Sequence, residues 1–249
     1  MPVGIVVALP AEARPLSRAS QPGNPVSIGA DSLLMVSGMG AQRAGAAART
    51  LIQAGATALA SWGTVGGLDP QYRSGHLLVP KQIMTTTGET FATDPGWRLR
   101  VLQALDNQVA CSEDTVLTTG QVLTSTADKR RLHAQSGAAA VDLESSVVAA
   151  CARSAGVPFL ALRCVADTAA MPLPGYVLEQ VDPYGQPRLL PLLQVLLRYP
   201  RELATLWQLF MAFRAAQATL RRVRRHLGCN LLVPVTGAAI AAPCCVTGE

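Results

Sequence analysis

The chain has 249 residues, 49% hydrophobic and 15% charged, which supplies enough apolar surface for one main α/β core and excludes a largely disordered chain. No run of about 18 uninterrupted apolar residues occurs to cross a membrane, and the start MPVGIVVALPAEAR lacks a basic n-region and reaches acidic Glu12 too early for a secretory signal, so the expected location is the cytoplasm. The net charge of +5 belongs to residues 188–228, where eight arginines stand against Glu202, while the remainder carries 13 Lys and Arg against 15 Asp and Glu; with 4% aromatic residues this argues against a nucleic-acid binder.

GIVVAL at 4–9 is an apolar run suited to a buried strand that Pro10 ends, with Glu12 just beyond its carboxyl end. After a turn-rich stretch at 21–25, DSLLMVSGMG predicts a second strand entering a glycine turn, and AQRAGAAARTLIQAGA an Ala-rich helix. ALASWG predicts a further strand, TVGGL a Gly-rich loop, and HLLVPKQIMTTT one longer strand with Pro80 at an edge or bulge. VLTTGQVLT reads as β structure, TADKRRLHAQSG as a short helix, AAVDLESSVVAACARSAG as a strand entering a helix, and VPFLALRCVADTA as a strand whose end carries Asp167. Strands alternating with helices imply a largely parallel sheet covered on both faces, with ligands beyond the carboxyl ends of the strands.

Five prolines between 171 and 191 mark a loop, so the main domain is assigned to 1–190, a basic amphipathic helical extension of the same domain to 191–228, broken near Pro200, and a poorly ordered tail to 229–249. In the extension Leu203, Leu206, Phe210, Phe213 and Leu220 recur at helical spacing, with Trp207 and Met211 alongside and Arg221, Arg222, Arg224 and Arg225 crowding the end. Two readings stand: a terminal helix packed on the sheet, its arginines complementing the helix dipole, or a peripheral membrane contact through 200–227. The six cysteines show no CxxC and no metal-ligand spacing and read as packing or tail residues.

Acidic side chains are scarce, yet Glu12 follows GIVVAL, Glu144 follows AAVDL and Asp167 follows FLALRCVA, each at a predicted strand end. Any one of them reads equally well as a helix-start acid or a solvated turn; convergence of three on one sheet edge points to a site. Two Gly-rich turns, SGMG (37–40) and GTVGG (63–67), expose backbone N–H groups that can hold an oxyanion, although such turns also serve strand-to-helix geometry.

GIVVALPAEAR, SGMG with its Ala-rich helix, SWGTVGGLDPQYRSGHLLVP and AVDLESSVVAACARSAGVPFLALRCVADTA, in that order from about residue 3 to residue 170, resemble the purine nucleoside phosphorylase and nucleosidase family, which includes the methylthioadenosine/S-adenosylhomocysteine nucleosidases. The resemblance implies a three-layer αβα fold around a central mixed, largely parallel twisted sheet, and cleavage of an N-glycosidic bond. It puts Asp167 in the place of the acid beside purine N7. Breaking the bond between C1′ and N9 leaves negative charge on the purine, and a proton delivered at N7 makes the base a neutral leaving group, so Asp167 must be protonated at transfer. Ala166 stands where the family usually has Ser, which removes one orienting hydroxyl. Glu144 takes the place of the carboxylate that accepts hydrogen bonds from the ribose hydroxyls, Leu143 forms an apolar wall under the sugar where the family often has Met, and Val122 and Leu123 match a segment lining the base pocket. Asp142 reads as a structural acid.

The two branches of the family differ in what attacks C1′. Glu12 matches the glutamate that activates water in the hydrolases, with Thr64 assisting. A phosphorylase instead binds phosphate, for which Gly38, Gly40 and Thr64, with Arg14 or Arg43, are the candidates. The basic, apolar C-terminal extension is similar to the hopanoid-associated phosphorylases. That implies phosphorolytic release of adenine from adenosylhopane, with inorganic phosphate as co-substrate, no cofactor and no metal, on the inner face of the membrane. The alternatives are a hydrolytic nucleosidase for methylthioadenosine or S-adenosylhomocysteine, and a non-catalytic nucleoside- or lipid-binding module, against which the retention of Glu12, Glu144 and Asp167 argues. Relatives form dimers or larger rings, so a homo-oligomer taking a small-molecule nucleoside is expected.

Overall fold

A computed structural model describes residues 2–18, 21–175, 182, 184, 185 and 202–233. Elements are numbered in chain order. The run VGIVV forms β1 (Val3–Val7), all five residues of which are buried, as a strand covered on both faces requires. Pro10 opens a single helical turn, α1 (Pro10–Ala13), where its fixed φ and missing N–H are no handicap. An antiparallel pair, β2 (Pro25–Ser27) and β3 (Ser32–Val36), brings the chain back beside β1, and α2 (Ala41–Gln53) lays Ala44, Ala47, Ala48 and Leu51 against the sheet.

The sheet is organised around β4 (Ala58–Gly67). Its first half pairs in parallel with β1, Leu59 to Gly66 pair in parallel with β11 (Phe159–Asp167), and its last two glycines pair antiparallel with β10 (Ala140–Asp142). From β10 the sheet continues through β9 (Val116–Thr118), β6 (Gln82–Thr85) and β7 (Thr90–Ala92), while β11 carries β5 (Leu77–Leu78) and β8 (Cys111–Ser112). One face is covered by α2 and α5 (Ser145–Ala155). The other is covered by α3 (Pro95–Leu105) and α6 (Glu202–Leu227), whose Ala216, Leu220, Val223 and Leu227 meet Trp62, Leu160 and Leu162 of the sheet. This is the three-layer αβα arrangement with a mixed sheet.

Several local expectations change. GTVGG is no loop but the far half of β4, because a strand without side chains at Gly66 and Gly67 can run between β10 and the end of β11. HLLVPKQIMTTT forms two strands, not one, with Pro80 between β5 and β6, and VLTTGQVLT is extended only over β9. The helix α3 adds to the predicted elements; it starts where Asp94 accepts a hydrogen bond from the Trp97 N–H at 2.6 Å.

The basic helix packs on the core through its C-terminal two thirds, and Leu203, Trp207, Phe210 and Met211 near its start are exposed. No helix among the described residues is long and apolar enough to cross a membrane. The expectation of a poorly ordered tail fails for its first residues: Leu231 is fully buried, and its carbonyl accepts a hydrogen bond from the Trp97 indole N–H at 2.6 Å. Residues 234–249, the Pro200 break and most of the Pro-rich loop lie outside the described residues.

Candidate active site

β1, β4, β9, β10 and β11 deliver their carboxyl ends to one cavity, as expected for ligand sites of such sheets. Glu12 enters it from α1, immediately after β1, and is 2% exposed. One of its oxygens accepts the Thr64 backbone N–H at 2.7 Å and the Thr64 hydroxyl at 2.5 Å; the other accepts the Leu9 N–H at 3.2 Å. A Cβ on Gly63 would stand 2.8 Å from Glu12 Oε2, so only glycine lets β4 pass this close to the carboxylate. Burial pushes the Glu12 pKa up, against the opposing pull of the Thr64 hydrogen bonds and the Arg163 charge.

Glu144 precedes the first turn of α5 and is buried across the cavity. The Gly40 N–H, aimed by a backbone at φ 99° that favours glycine, donates to Glu144 Oε1 at 2.8 Å. Burial, reinforced by the charge of Asp142, pushes the Glu144 pKa up to about 7. Beneath it Asp142 and Arg163 form an ion pair at 3.0 Å with both side chains almost fully buried. Asp142 also accepts the Thr118 hydroxyl at 2.7 Å, and Arg163 donates to Ser145 Oγ at 3.0 Å and Ser61 Oγ at 2.6 Å. Asp142 thus holds a buried network together, which suits a structural acid.

A carboxyl that keeps its proton more readily folded than unfolded gives stability that is fully present below its unfolded value near 4.5 and lost as pH rises through about 7. Glu144→Gln removes that loss while retaining an acceptor for the Gly40 N–H. Thermal unfolding across pH is expected to show the variant gaining stability over the wild type from pH 5 to 8, by roughly 2 kcal/mol at the alkaline end. A constant offset at every pH would show that Glu144 does not titrate in that window.

Asp167 reaches the cavity by way of an irregularity. The register of β11 on β4 slips between Val165 and Asp167, so that Ala166 is the extra residue of a bulge that re-aims the following carboxyl. Asp167 is 8% exposed, and its Oδ2 accepts a hydrogen bond from the buried ammonium of Lys129. Burial pushes its pKa up and Lys129 pulls it down.

Of the residues singled out from sequence, Glu12, Thr64, Val122, Leu123, Leu143, Glu144 and Asp167 line this one cavity. Others are not brought to it. The Gly38 N–H is spent on Ala8 O at 3.0 Å, the Gly40 N–H is spent on Glu144, and the exposed Arg43 donates to the Met39 carbonyl at 3.3 Å. Arg14 is exposed, and Ala166 turns its methyl onto the apolar layer. Among the described residues no cluster of His, Cys, Asp or Glu suits a metal ion.

The model of the Phosphorylase superfamily matches residues 2–180. The chain belongs to this superfamily. None of the curated proteins matches it in sequence. Among solved structures the chain is similar to futalosine hydrolase of Helicobacter pylori, with a TM-score of 0.67, 16% identity, and 93% of this chain and 97% of that one covered. It is also similar to the 5′-methylthioadenosine/S-adenosylhomocysteine nucleosidase of Neisseria meningitidis in complex with methylthio-immucillin-A, with a TM-score of 0.67, 16% identity and 90% and 97% covered. The corresponding nucleosidase of Helicobacter pylori with butyl-thio-DADMe-Immucillin-A gives 0.65, 17% identity and 91% and 96% covered. At these identities the likeness is one of fold.

The span matched to the Phosphorylase superfamily contains two cavity residues that sequence reasoning passed over, Arg163 and Lys129. Arg163 had a readable signal, since a lone charge within the apolar run FLALRCVA must find a buried partner. Lys129 had none, lying among the charged residues of ADKRR with no pattern to separate it from Arg130 and Arg131.

Proposed function

We propose that the protein cleaves the N-glycosidic bond of a purine nucleoside by hydrolysis. The observation that carries this reading is the convergence of Glu12, Glu144 and Asp167 on one cavity from separate strand ends. Glu144 accepts hydrogen bonds from the ribose hydroxyls, which strengthen as the sugar approaches an oxocarbenium-like state. Glu12, oriented by Thr64, takes a proton from water as the oxygen attacks C1′. The C1′–N9 electron pair passes into the purine, and Asp167 delivers its proton to N7. The base leaves neutral, and the proton gained by Glu12 and the one lost by Asp167 balance through solvent.

Water is supported over phosphate by the state of the cations. Among the described residues Arg163 and Lys129 are the basic side chains lining the cavity, and each is paired with a carboxylate. A dianionic acceptor needs uncommitted cations and N–H donors, and the candidates for that role, Arg43, Gly38 and Gly40, are engaged elsewhere. Leu9, Met39, Leu143 and Leu173 give the cavity an apolar wall, which supports a 5′-modified adenosine as substrate. The neighbours named as futalosine hydrolase and methylthioadenosine/S-adenosylhomocysteine nucleosidases support the same chemistry. For adenosylhopane, the substrate suggested by the C-terminal extension, the supporting feature is the exposed set Leu203, Trp207, Phe210 and Met211, which suits contact with lipid.

The test is adenine release from methylthioadenosine, S-adenosylhomocysteine and adenosylhopane, with and without inorganic phosphate. Release in phosphate-free buffer with a free reducing sugar as second product is expected. Strict phosphate dependence would replace hydrolysis by phosphorolysis, and absence of base release from every nucleoside would remove the enzymatic reading.

A further inference from the structure

α4 (Thr126–Ser136) is a strongly polar helix, and its one buried residue is a lysine. Lys129 is 0% exposed. Taking an ammonium out of water carries a large desolvation cost, and an apolar side chain would anchor a surface helix without it. The position therefore calls for a charge. All three N–H groups of the ammonium are committed: to Asp167 Oδ2, to the Thr168 carbonyl at 2.9 Å and to the Met171 carbonyl at 2.9 Å. Three donors on three fixed acceptors leave the ammonium no free N–H to offer a ligand.

We propose that Lys129 is a positioning residue for the leaving-group acid: it fixes one carboxyl oxygen of Asp167, leaving Oδ1 to serve the base, and it sets the upper pH limit at which that acid still carries its proton. The inference rests on the assignment of Asp167 as the proton donor to N7. The same ammonium also ties the turn after β11 to α4, and that turn leads into Leu173, another residue of the cavity wall.

The sign follows from the charges facing Asp167. Lys129 faces it from α4; Glu12 on α1, Glu144 before α5 and Asp142 at the end of β10 share the cavity with it; and Arg163 on β11 is closed off by Asp142. The ammonium in direct contact favours the carboxylate, against the burial that favours the acid. Removing the charge leaves burial unopposed, so Asp167 keeps its proton to higher pH.

The experiment compares wild type, Lys129→Met and Lys129→Arg by kcat and KM across pH, and by the ¹³Cγ titration of Asp167 in the substrate-free protein, assigned with Asp167→Asn. In Lys129→Met the alkaline limb of kcat and the ¹³Cγ midpoint are both expected to move up by about 1 to 3 pH units, with maximal kcat reduced and KM little changed. Lys129→Arg, which retains the charge, is expected to keep the wild-type limb. If methionine is not tolerated, Lys129→Gln, uncharged but still a donor to the same carbonyls, carries the same measurement. An unchanged limb and midpoint in the uncharged variant overturn the proposal. If the wild type releases no base from any nucleoside, the reaction is wrong, and the substrate-free titration alone then decides whether Lys129 controls Asp167.

Discussion

Asp167→Asn is expected to slow base release by a factor of about 10² or more while nucleoside binding stays within about tenfold. Asparagine keeps the size of the side chain and an oxygen for the Lys129 ammonium, so the wall of the cavity is retained. What it loses is the transferable proton, and with it the means of neutralising the purine as C1′–N9 breaks. The loss should therefore depend on the leaving group. A riboside of p-nitrophenol, which departs as a stable anion, needs no proton and is expected to lose far less rate than adenosine derivatives. Steady-state kinetics on both substrates checks this, and an equal loss on the two would assign Asp167 to binding or folding instead. The variant leaves a buried ammonium without its counter-charge, so its thermal unfolding is to be measured alongside.

Glu12→Gln is expected to lower kcat by a factor of about 10² to 10⁴, with KM for the nucleoside changed only a few fold. The amide oxygen still takes the Thr64 N–H, so the tie to β4 is kept, but no base remains to accept a proton from water. Glu12 must be ionised to act, and burial raises its pKa, so the wild-type rate should fall as pH drops through that raised value. The glutamine variant is expected to lose this acid limb along with its rate. Its stability at neutral pH should rise, because a buried carboxyl that resists ionisation is replaced by a neutral group. A variant that retains full activity, or regains it on adding phosphate, would show that Glu12 does not activate water.

Much of the core was readable because burial on both faces writes itself as short apolar runs: GIVVAL, ALASWG and FLALRCVA all became strands of the central sheet. The carboxyls of Glu12, Glu144 and Asp167 were readable for a related reason, since an acid directly after such a run has few places to go other than the strand end. The glycines misled. SGMG and GTVGG looked like anion cradles, but their role here is close approach, of β4 to Glu12 at Gly63 and of the 37–40 turn to Glu144 at Gly40. Composition cannot tell an N–H that waits for a ligand from one already bonded to a side chain about a hundred residues away. The bulge at Ala166 left no local signature either, because it is a difference in register between two strands. Lys129 was hidden in the same way, its burial being decided by the turn at 168–171 instead of by its neighbours in sequence.

The pairing of Arg163 with Asp142 bears on which molecules are admitted. With Arg163 paired to Asp142 and Lys129 to Asp167, no uncommitted cation among the described residues faces an entering molecule, and Glu12 and Glu144 give the hollow an acidic balance as they ionise. A nucleotide bearing a 5′-phosphate would meet repulsion there before any question of shape arose, whereas an uncharged nucleoside would not. On the function proposed above, a 5′-phosphate is therefore expected to weaken binding, which competition between a nucleoside and its monophosphate would measure.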